Sequence, residues 1–238
     1  MNALSRAAGA VTLAAILLAL GLAGYSYLAG RPQDLPWTAL ALDQPVGWFT
    51  GRKLAALTGD APQCLALLDR AGVRYSVVAP MREGACGYSD GVRRKGGVAY
   101  TPRAPATSCA VAAALTLWER AVVQPAARRR FGTDVSRIEH LGSYACRRIY
   151  GRTTGPMSEH ATADAIDIAG FVLADGRRVS VLGDWRGGGE KAAFLRDVRS
   201  GGCRLFATVL SPDYNPAHRD HLHLDQAERG ATGWRACR

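Results

Sequence analysis

Four of the five histidines in this 238-residue sequence fall in two short stretches. The first stretch, SEHATADAID, contains His160 and, seven residues later, Asp167. The second stretch, HRDHLHLD, contains His218, His221 and His223. Imidazole and carboxylate groups are common zinc ligands, and a catalytic zinc takes three protein ligands and keeps a fourth position open. We therefore predict that the two stretches are the two halves of one zinc site.

Alternation of polar and apolar residues indicates that strands position most of these groups. In HLHLD the alternation places His221, His223 and Asp225 on one face and two leucines on the other. Asp167 lies between two isoleucines that would pack beneath its strand. His160, on the loop before that strand, is free to reach across. His160, Asp167 and one histidine of the H-x-H pair would then complete the ligand set.

Other nearby polar residues are weaker candidates. Asp164 follows His160 by four residues, a spacing that serves a helix, whereas the alternating pattern predicts a strand. The same pattern disfavours Glu159 as a metal ligand. An H-x-H pair alone is a weak signal, and its combination with His160 and Asp167 is what favours a metal. His140 lies outside both stretches, and we expect it to be structural or on the surface.

The N-terminus predicts export or membrane insertion. Residues 7–30 carry no charge, and about 20 residues of helix are enough to cross a bilayer core. No clear A-x-A-like cleavage site follows, which favours an uncleaved signal-anchor over residues 1–30 rather than a cleaved signal peptide.

The cysteines also point to a compartment outside the cytoplasm. All six lie beyond the apolar segment and none forms a C-x-x-C pair. An even number of cysteines in an exported domain suggests disulfides. Order along the chain and local spacing suggest the pairs Cys64–Cys86, Cys109–Cys146 and Cys203–Cys237.

The net charge of +10 arises from 30 Lys and Arg residues against 20 Asp and Glu residues. In the cytoplasm this charge would make nucleic acid a candidate partner. Outside the cytoplasm, phospholipid head groups and cell-wall carboxylates are the available anions. We therefore expect no nucleic-acid partner, and basic runs such as Arg128–Arg130 are by default a solvated surface.

The remaining sequence predicts an α+β domain. Residues 31–59 are expected to be a linker with some structure, compatible with the membrane surface. Residues 60–105 are expected to form a small N-terminal lobe stapled by Cys64 and Cys86, and residues 106–238 the core. We predict helices packed on a central antiparallel sheet that carries the zinc site.

Local signals mark several of the elements in this domain. Asp60 is a suitable N-cap for one helix, and Thr107 or Ser108 for a longer one in which Trp118 anchors the core. Pro125 should kink this longer helix or start a second one. Asp175–Gly176 predicts a hairpin turn after the strand of Asp167.

Several motifs resemble known zinc peptidases. SEHATADAID is similar to S-x-H-x-x-G-x-A-x-D, a motif shared by lysostaphin, D-Ala-D-Ala carboxypeptidases and the hedgehog signalling domain, with Ala163 at the usual glycine. The closing H-x-x-H-x-H resembles the penicillin-insensitive murein endopeptidase branch. Together GSYACR, SEHATADAIDIAGF, VLSPDYN and HRDHLHLD resemble the bacterial extensin-like C-terminal domain, over roughly residues 60–238.

The resemblance implies specific roles for residues of this sequence. It implies one Zn²⁺ per chain, held by His160, Asp167 and His223. It implies that His221 is the catalytic base. Further active-site or substrate-binding roles are implied for His218, Arg147, Arg148 and Ser158.

The resemblance also implies an activity and a location. The expected activity is hydrolysis of peptidoglycan peptide stems, first as a D,D-endopeptidase and alternatively as a D,D-carboxypeptidase. A second alternative is a zinc-containing wall-binding or structural module without catalysis, although retention of His221 beside the three ligands argues against it. The expected location is the inner membrane, single-pass, with the catalytic domain in the periplasm; secretion after signal cleavage is the alternative. The sequence leaves the oligomeric state open.

Overall fold

The computed structural model describes residues 3–229 and 234–238. It begins with helix α1 (Ala3–Ala29). The 23 residues Ala7–Ala29 of this helix are long and apolar enough to cross a membrane, and none of them is buried against the protein. At 1.5 Å per residue this window spans about 35 Å. The predicted apolar N-terminal helix is therefore confirmed.

The segment 31–59 folds onto the domain. It contains a 3-10 turn (Pro32–Asp34) and helix α2 (Thr50–Ala55). Leu42, Leu54 and Leu57 from this segment are buried in the hydrophobic core. This segment was predicted to be a linker before the domain, and it contributes side chains to the core of that domain.

A helix and two small antiparallel pairs of strands follow. These elements are α3 (Ala61–Arg70), β1 (Tyr75–Val77), β2 (Met81–Glu83), β3 (Cys86–Tyr88) and β4 (Val92–Arg94). Strand β1 pairs with β4 and β2 pairs with β3. The side chain of Asp60 caps α3 by accepting a hydrogen bond from the Gln63 amide at 3.1 Å, as predicted.

A seven-stranded sheet forms the centre of the domain. The strands are β5 (Ala99–Thr101), β6 (Val135–Gly142), β7 (Ala165–Leu173), β8 (Arg178–Ser180), β9 (Thr208–Leu210), β10 (Leu222–Asp225) and β11 (Ala236–Cys237). Their order in the sheet is β11-β9-β10-β7-β6-β5, and β8 pairs with the second half of β7.

The sheet is mixed, which corrects the predicted antiparallel sheet. Its central pairs are antiparallel, including the predicted hairpin of β7 and β8, but β5 pairs with β6 and β11 pairs with β9 in parallel. Parallel neighbours need a crossover connection. Helices supply that crossover between β5 and β6, a consequence of chain direction that the strand patterns alone did not reveal.

The crossover is a long helical stretch with an irregular middle. A π-helical turn (Glu119–Val123) separates α4 (Cys109–Trp118) from α5 (Gln124–Phe131). This irregularity lies just before Pro125, which has no amide hydrogen to donate. The predicted cap is confirmed, because Ser108 Oγ accepts a hydrogen bond from the Val111 amide at 3.3 Å.

Helices cover one face of the sheet. Besides α4 and α5 these are α6 (Val181–Asp184) and α7 (Gly189–Gly202). Trp118 is fully buried among them, with its ring 5.9 Å from that of Phe171, and its indole donates to the Val198 carbonyl at 2.9 Å. Its prediction as a core anchor is confirmed.

The six cysteines form three disulfides: Cys64–Cys109, Cys86–Cys146 and Cys203–Cys237. Only the last of these was predicted correctly. The small lobe is not closed on itself by Cys64 and Cys86. Because α3 packs beside α4, Cys64 meets Cys109, and Cys86 is joined to the segment after β6. Both disulfides link the small lobe covalently to the core.

Candidate metal centre

Three predicted ligands meet on the face of the sheet opposite the helices. His223 on β10 lies directly across from Asp167 on β7, and His160 comes from the 3-10 turn Glu159–Thr162 just before β7. His160 Nε2 lies 3.2 Å from His223 Nδ1 and 3.2 Å from Asp167 Oδ2. His223 Nδ1 lies 3.0 Å from Asp167 Oδ1. The structure therefore brings together these three groups from two distant stretches.

Alternation on the two strands produces this arrangement. Leu222 and Leu224 are fully buried beneath β10, and Ile166 and Ile168 are fully buried beneath β7. Their burial against the helices directs the polar side chains between them to the opposite face. The strand faces predicted from the sequence are confirmed.

Each histidine has a second partner that sets its orientation. His160 Nδ1 lies 2.5 Å from the Ser143 carbonyl oxygen, and His223 Nε2 lies 3.0 Å from Asp225 Oδ2. These oxygens accept the ring N–H, so the other nitrogen of each ring is directed at the cluster and is the one that could bind a metal. Carbonyl and carboxylate partners of this kind are typical behind metal-binding histidines.

The cluster fits a zinc ion. Two imidazole lone pairs and a carboxylate facing one another repel unless a positive charge lies between them. Around a tetrahedral Zn²⁺ with bonds of about 2.0–2.1 Å, neighbouring ligand atoms lie about 3.3 Å apart. The separations of 3.0–3.2 Å between these atoms are close to that value.

The electrostatics of the buried groups favour positive charge at the same point. Burial alone would lower the pKa of His223, but its hydrogen bonds with Asp167 and Asp225 raise it to about 9. Burial alone would raise the pKa of Asp167, but hydrogen bonds with His160 and His223 hold it well below its usual range. Positive charge on the His223 side is therefore stabilised by Asp167 at the Nδ1 edge of the ring and by Asp225 at its Nε2 edge.

His221 borders the cluster. Its Nε2 lies 3.5 Å from Asp167 Oδ1, and its Nδ1 lies 2.8 Å from Asp220 Oδ1. Asp220 thus accepts the Nδ1 hydrogen and leaves a lone pair on the Nε2 that faces the cluster. His221 is placed as a base needs to be, with a carboxylate that orients its ring.

His218 lies behind His221, with their ring centroids 5.2 Å apart. Burial and the nearby His221 lower the pKa of His218 to about 4, so its ring is neutral at pH 7. Its Nδ1 lies 2.8 Å from Asn215 Oδ1, which also accepts the Ala217 amide at 3.0 Å. The Nδ1 hydrogen is therefore given to Asn215, and Nε2 remains an acceptor.

The three ligand candidates, His218 and His221 open into one cleft of about 930 Å³. Arg147 and Ser158, two of the residues singled out in the sequence, line this cleft. Ser158 also caps the turn of His160, accepting the His160 amide at 3.4 Å. Arg148 does not line this cleft, because its guanidinium turns away to donate to the Gly155 carbonyl.

Three supporting groups were not assigned from the sequence. Asp220 stands next to His221 in HRDH and could have been recognised by that adjacency. Asp225 was placed on the correct face, but without a role. The Ser143 carbonyl follows an irregularity in the pairing of β6 with β7, and no sequence signal identifies it.

Glu159 lines the cleft although it is not a ligand. Burial, with Asp225 and Asp164 nearby, raises the pKa of Glu159 to about 7. The protonated and the ionised forms of Glu159 are therefore present in comparable amounts at neutral pH.

Ala163 ends the turn of His160 in the left-handed region, with φ of +59°. Glycine adopts this conformation without steric cost, whereas other residues are disfavoured by about 1–2 kcal/mol. This explains why a glycine suits the position in the motif. Ala163 adopts the same conformation at that cost, and the three candidate ligands still meet.

Other polar groups singled out in the sequence lie away from the cleft. His140 Nε2 lies 2.9 Å from the Arg103 carbonyl, consistent with a structural role. In the basic run before Phe131, Arg128 and Arg130 pair with Asp134 and Asp197 at 2.5 and 3.0 Å.

Replacement of Asp225 tests its support of His223. In Asp225→Asn the neutral amide loses the charge that holds the His223 ring, so we expect zinc affinity to fall about 10–100-fold. Competition with a chromogenic chelator measures this affinity. Asp220→Asn is the matched control, because its histidine is not a ligand, and it should bind zinc as the parent does. Equal affinities for parent and Asp225→Asn would contradict the assignment.

The fold and the cluster define an α+β domain with a histidine and carboxylate centre on its sheet. The family described as Extensin-like protein C-terminus matches residues 62–238, and the chain belongs to this family. No curated protein and no solved structure matches the chain significantly. The extensin-like resemblance is thereby confirmed, whereas kinship with the lysostaphin-type peptidases stays a prediction.

Proposed function

We propose that the protein is a zinc-dependent peptidoglycan peptidase, in the first instance a D,D-endopeptidase that cuts wall cross-links. One observation carries the proposal. His160 Nε2, His223 Nδ1 and the Asp167 carboxylate converge within 3.0–3.2 Å in an open cleft, and His221 faces them without belonging to the set. Three ligands beside an available base are what a hydrolytic zinc site needs.

His160, Asp167 and His223 would hold the metal. Bound zinc lowers the pKa of water to about 7 and polarises a carbonyl oxygen. His221 Nε2 takes the proton from the attacking water and returns it to the leaving amine. Asp220, 2.8 Å from Nδ1, keeps His221 in the required tautomer and stabilises the ring while it is protonated.

Of the two adjacent arginines expected near the active site, Arg147 is the better candidate for stabilising the oxyanion. It lines the cleft, whereas Arg148 does not. His218 is less suited, because its Nδ1 hydrogen is given to Asn215 and its Nε2 has none to donate. A guanidinium next to the developing negative charge is an effective source of transition-state stabilisation.

The walls of the cleft suit a peptide stem that carries carboxylates. Arg147, Arg229 and Arg238 line the cleft together with Tyr150 and Tyr214. The arginines can pair with carboxylates, and the exposed faces of the tyrosines can pack against the backbone of the stem. These features support a wall peptide as substrate.

Two features of the chain support a location at the membrane and outside the cytoplasm. Three disulfides are typical of an extracytoplasmic domain, and α1 is long enough to serve as a signal anchor or membrane span. We propose anchoring in the inner membrane, with the domain in the periplasm where it meets peptidoglycan.

Purified muropeptides test the activity. The full chain in detergent is incubated with cross-linked dimers and with pentapeptide monomers, with and without a zinc chelator. We expect dimers to be converted to monomers, the chelator to stop the reaction, and added zinc to restore it. Release of D-Ala from pentapeptides alone would indicate a D,D-carboxypeptidase. No chelator-sensitive product from either substrate would indicate a module without catalysis and overturn the proposal.

A further inference from the structure

Exposed aromatic side chains surround the point where α1 meets the domain. Tyr25 and Tyr27, near the end of α1, are 73% and 53% exposed. Trp37 and Trp48, in the segment after α1, are 77% and 75% exposed. Tryptophan is usually largely buried, and exposed apolar groups that cluster mark a surface that binds something. We call these four residues the aromatic collar.

Hydrogen bonds fix Tyr27 and the backbone of Trp48 to the end of α1. The Arg31 guanidinium donates to Tyr27 Oη at 2.7 Å and to the Asp34 carboxylate at 2.6 Å. Asp34 is buried and also accepts the Trp48 amide at 2.9 Å. The chain from Ala29 to Asp34 runs through tight turns. Asp34 therefore stays close to the end of α1, and its hydrogen bond holds the amide of Trp48 there as well.

The same segment is fixed to the domain. Arg120 donates to the Gln44 carbonyl at 2.9 Å, and Arg204 donates to the Val46 carbonyl at 2.8 Å. Leu42 is buried in the core. The collar is therefore held by both α1 and the domain, and it is not part of a flexible tether.

We propose that the aromatic collar inserts into the interfacial layer of the bilayer that α1 crosses, and so seats the domain on the membrane surface. The proposal rests on α1 being retained as a membrane span. Tryptophan and tyrosine concentrate at the level of the lipid head groups, where an apolar ring and its polar edge are both satisfied. The interfacial layers extend about 5–8 Å on each side of a hydrocarbon core of about 30 Å. The apolar window of α1 spans about 35 Å, so its end lies in one of these layers, next to the collar residues that are bonded to it.

A seated domain works differently from a tethered one. With the collar in the interface, the cleft keeps a fixed orientation and a fixed height above the lipid. The proposed peptidase would then act only on wall peptides close to the membrane.

Fluorescence quenching by brominated lipids tests the collar. The full chain is placed in nanodiscs of phosphatidylcholine and phosphatidylglycerol that contain lipids brominated near the head group. Trp118 and Trp185 are buried in the domain, so quenching in the parent reports on the collar. We expect clear quenching in the parent and loss of most of it in the double variant Trp37→Phe/Trp48→Phe. Trp234→Phe is the matched control, because Trp234 lines the cleft, and it should leave the quenching unchanged.

Two results would overturn the proposal. One is a parent protein that shows no quenching, as expected if another protein covers the collar or if α1 does not insert. The other is equal quenching in the parent and in Trp37→Phe/Trp48→Phe. The quenching measurement involves neither zinc nor hydrolysis. Failure of the collar proposal is therefore distinguishable from failure of the peptidase proposal.

Discussion

His223→Ala is expected to abolish high-affinity zinc binding and activity together, whereas His221→Ala should keep the zinc and lose most of the activity. His223 supplies one of three ligand atoms, and alanine leaves a gap that water fills poorly. His221 lies next to the cluster but is held by Asp220 at 2.8 Å, outside the ligand set. Loss of a general base costs about 10²–10⁴-fold in rate. Zinc content by elemental analysis and turnover of cross-linked muropeptides measure the two effects separately.

His140→Ala is the matched control for these variants. It also removes an imidazole from a strand of the sheet, but its ring bonds to the Arg103 carbonyl, outside the cluster. It should keep both zinc and activity. Equal loss of zinc in His221→Ala and His223→Ala would show that the ligand and base assignments are wrong.

The site could be predicted because its information is local. Alternation in HLHLD and around Asp167 assigns each side chain to a face, and burial of the intervening leucines and isoleucines enforces that assignment. Two strands with polar groups on the same face need only be neighbours for those groups to meet. Pairing of β7 with β10 supplies this contact and places His223 opposite Asp167.

Features that depend on distant packing could not be predicted in the same way. The Ser143 carbonyl that contacts His160 follows a stretch where the pairing of β6 with β7 is irregular, near His140. Arg147 and Arg148 are neighbours in sequence, yet only Arg147 lines the cleft. Backbone irregularities and rotations between adjacent residues leave no periodic signal in the sequence.

The segment 31–59 illustrates the same limit at a larger scale. Its prolines and irregular pattern predicted a linker, and no periodicity marks its contribution to the core. Leu42 and Leu54 are nevertheless buried. Their partners belong to elements that come later in the chain, so their burial is decided by tertiary contacts.

The disulfide between Cys64 and Cys109 is expected to provide a large share of the domain's stability. Both cysteines are fully buried, and the bond closes a loop with a sequence separation of 45 residues. By the chain-entropy relation, a loop of this length stabilises the fold by about 4 kcal/mol. The double variant Cys64→Ala/Cys109→Ala should lose about that free energy of unfolding, measured by urea denaturation of the full chain in detergent.

The single variant Cys64→Ala separates the observed connectivity from the one that chain order suggests. It should leave Cys109 as a free thiol, whereas the pairing Cys64–Cys86 would leave Cys86 free. Alkylation under denaturing conditions, followed by peptide mapping, identifies the thiol, and labelled Cys86 would contradict the structure.

The disulfide between Cys64 and Cys109 also bears on the candidate metal centre, because the Ser108 amide beside Cys109 donates to the Ala163 carbonyl at 2.9 Å. Ala163 ends the turn that carries His160, so the disulfide that joins α3 to α4 also supports a proposed zinc ligand.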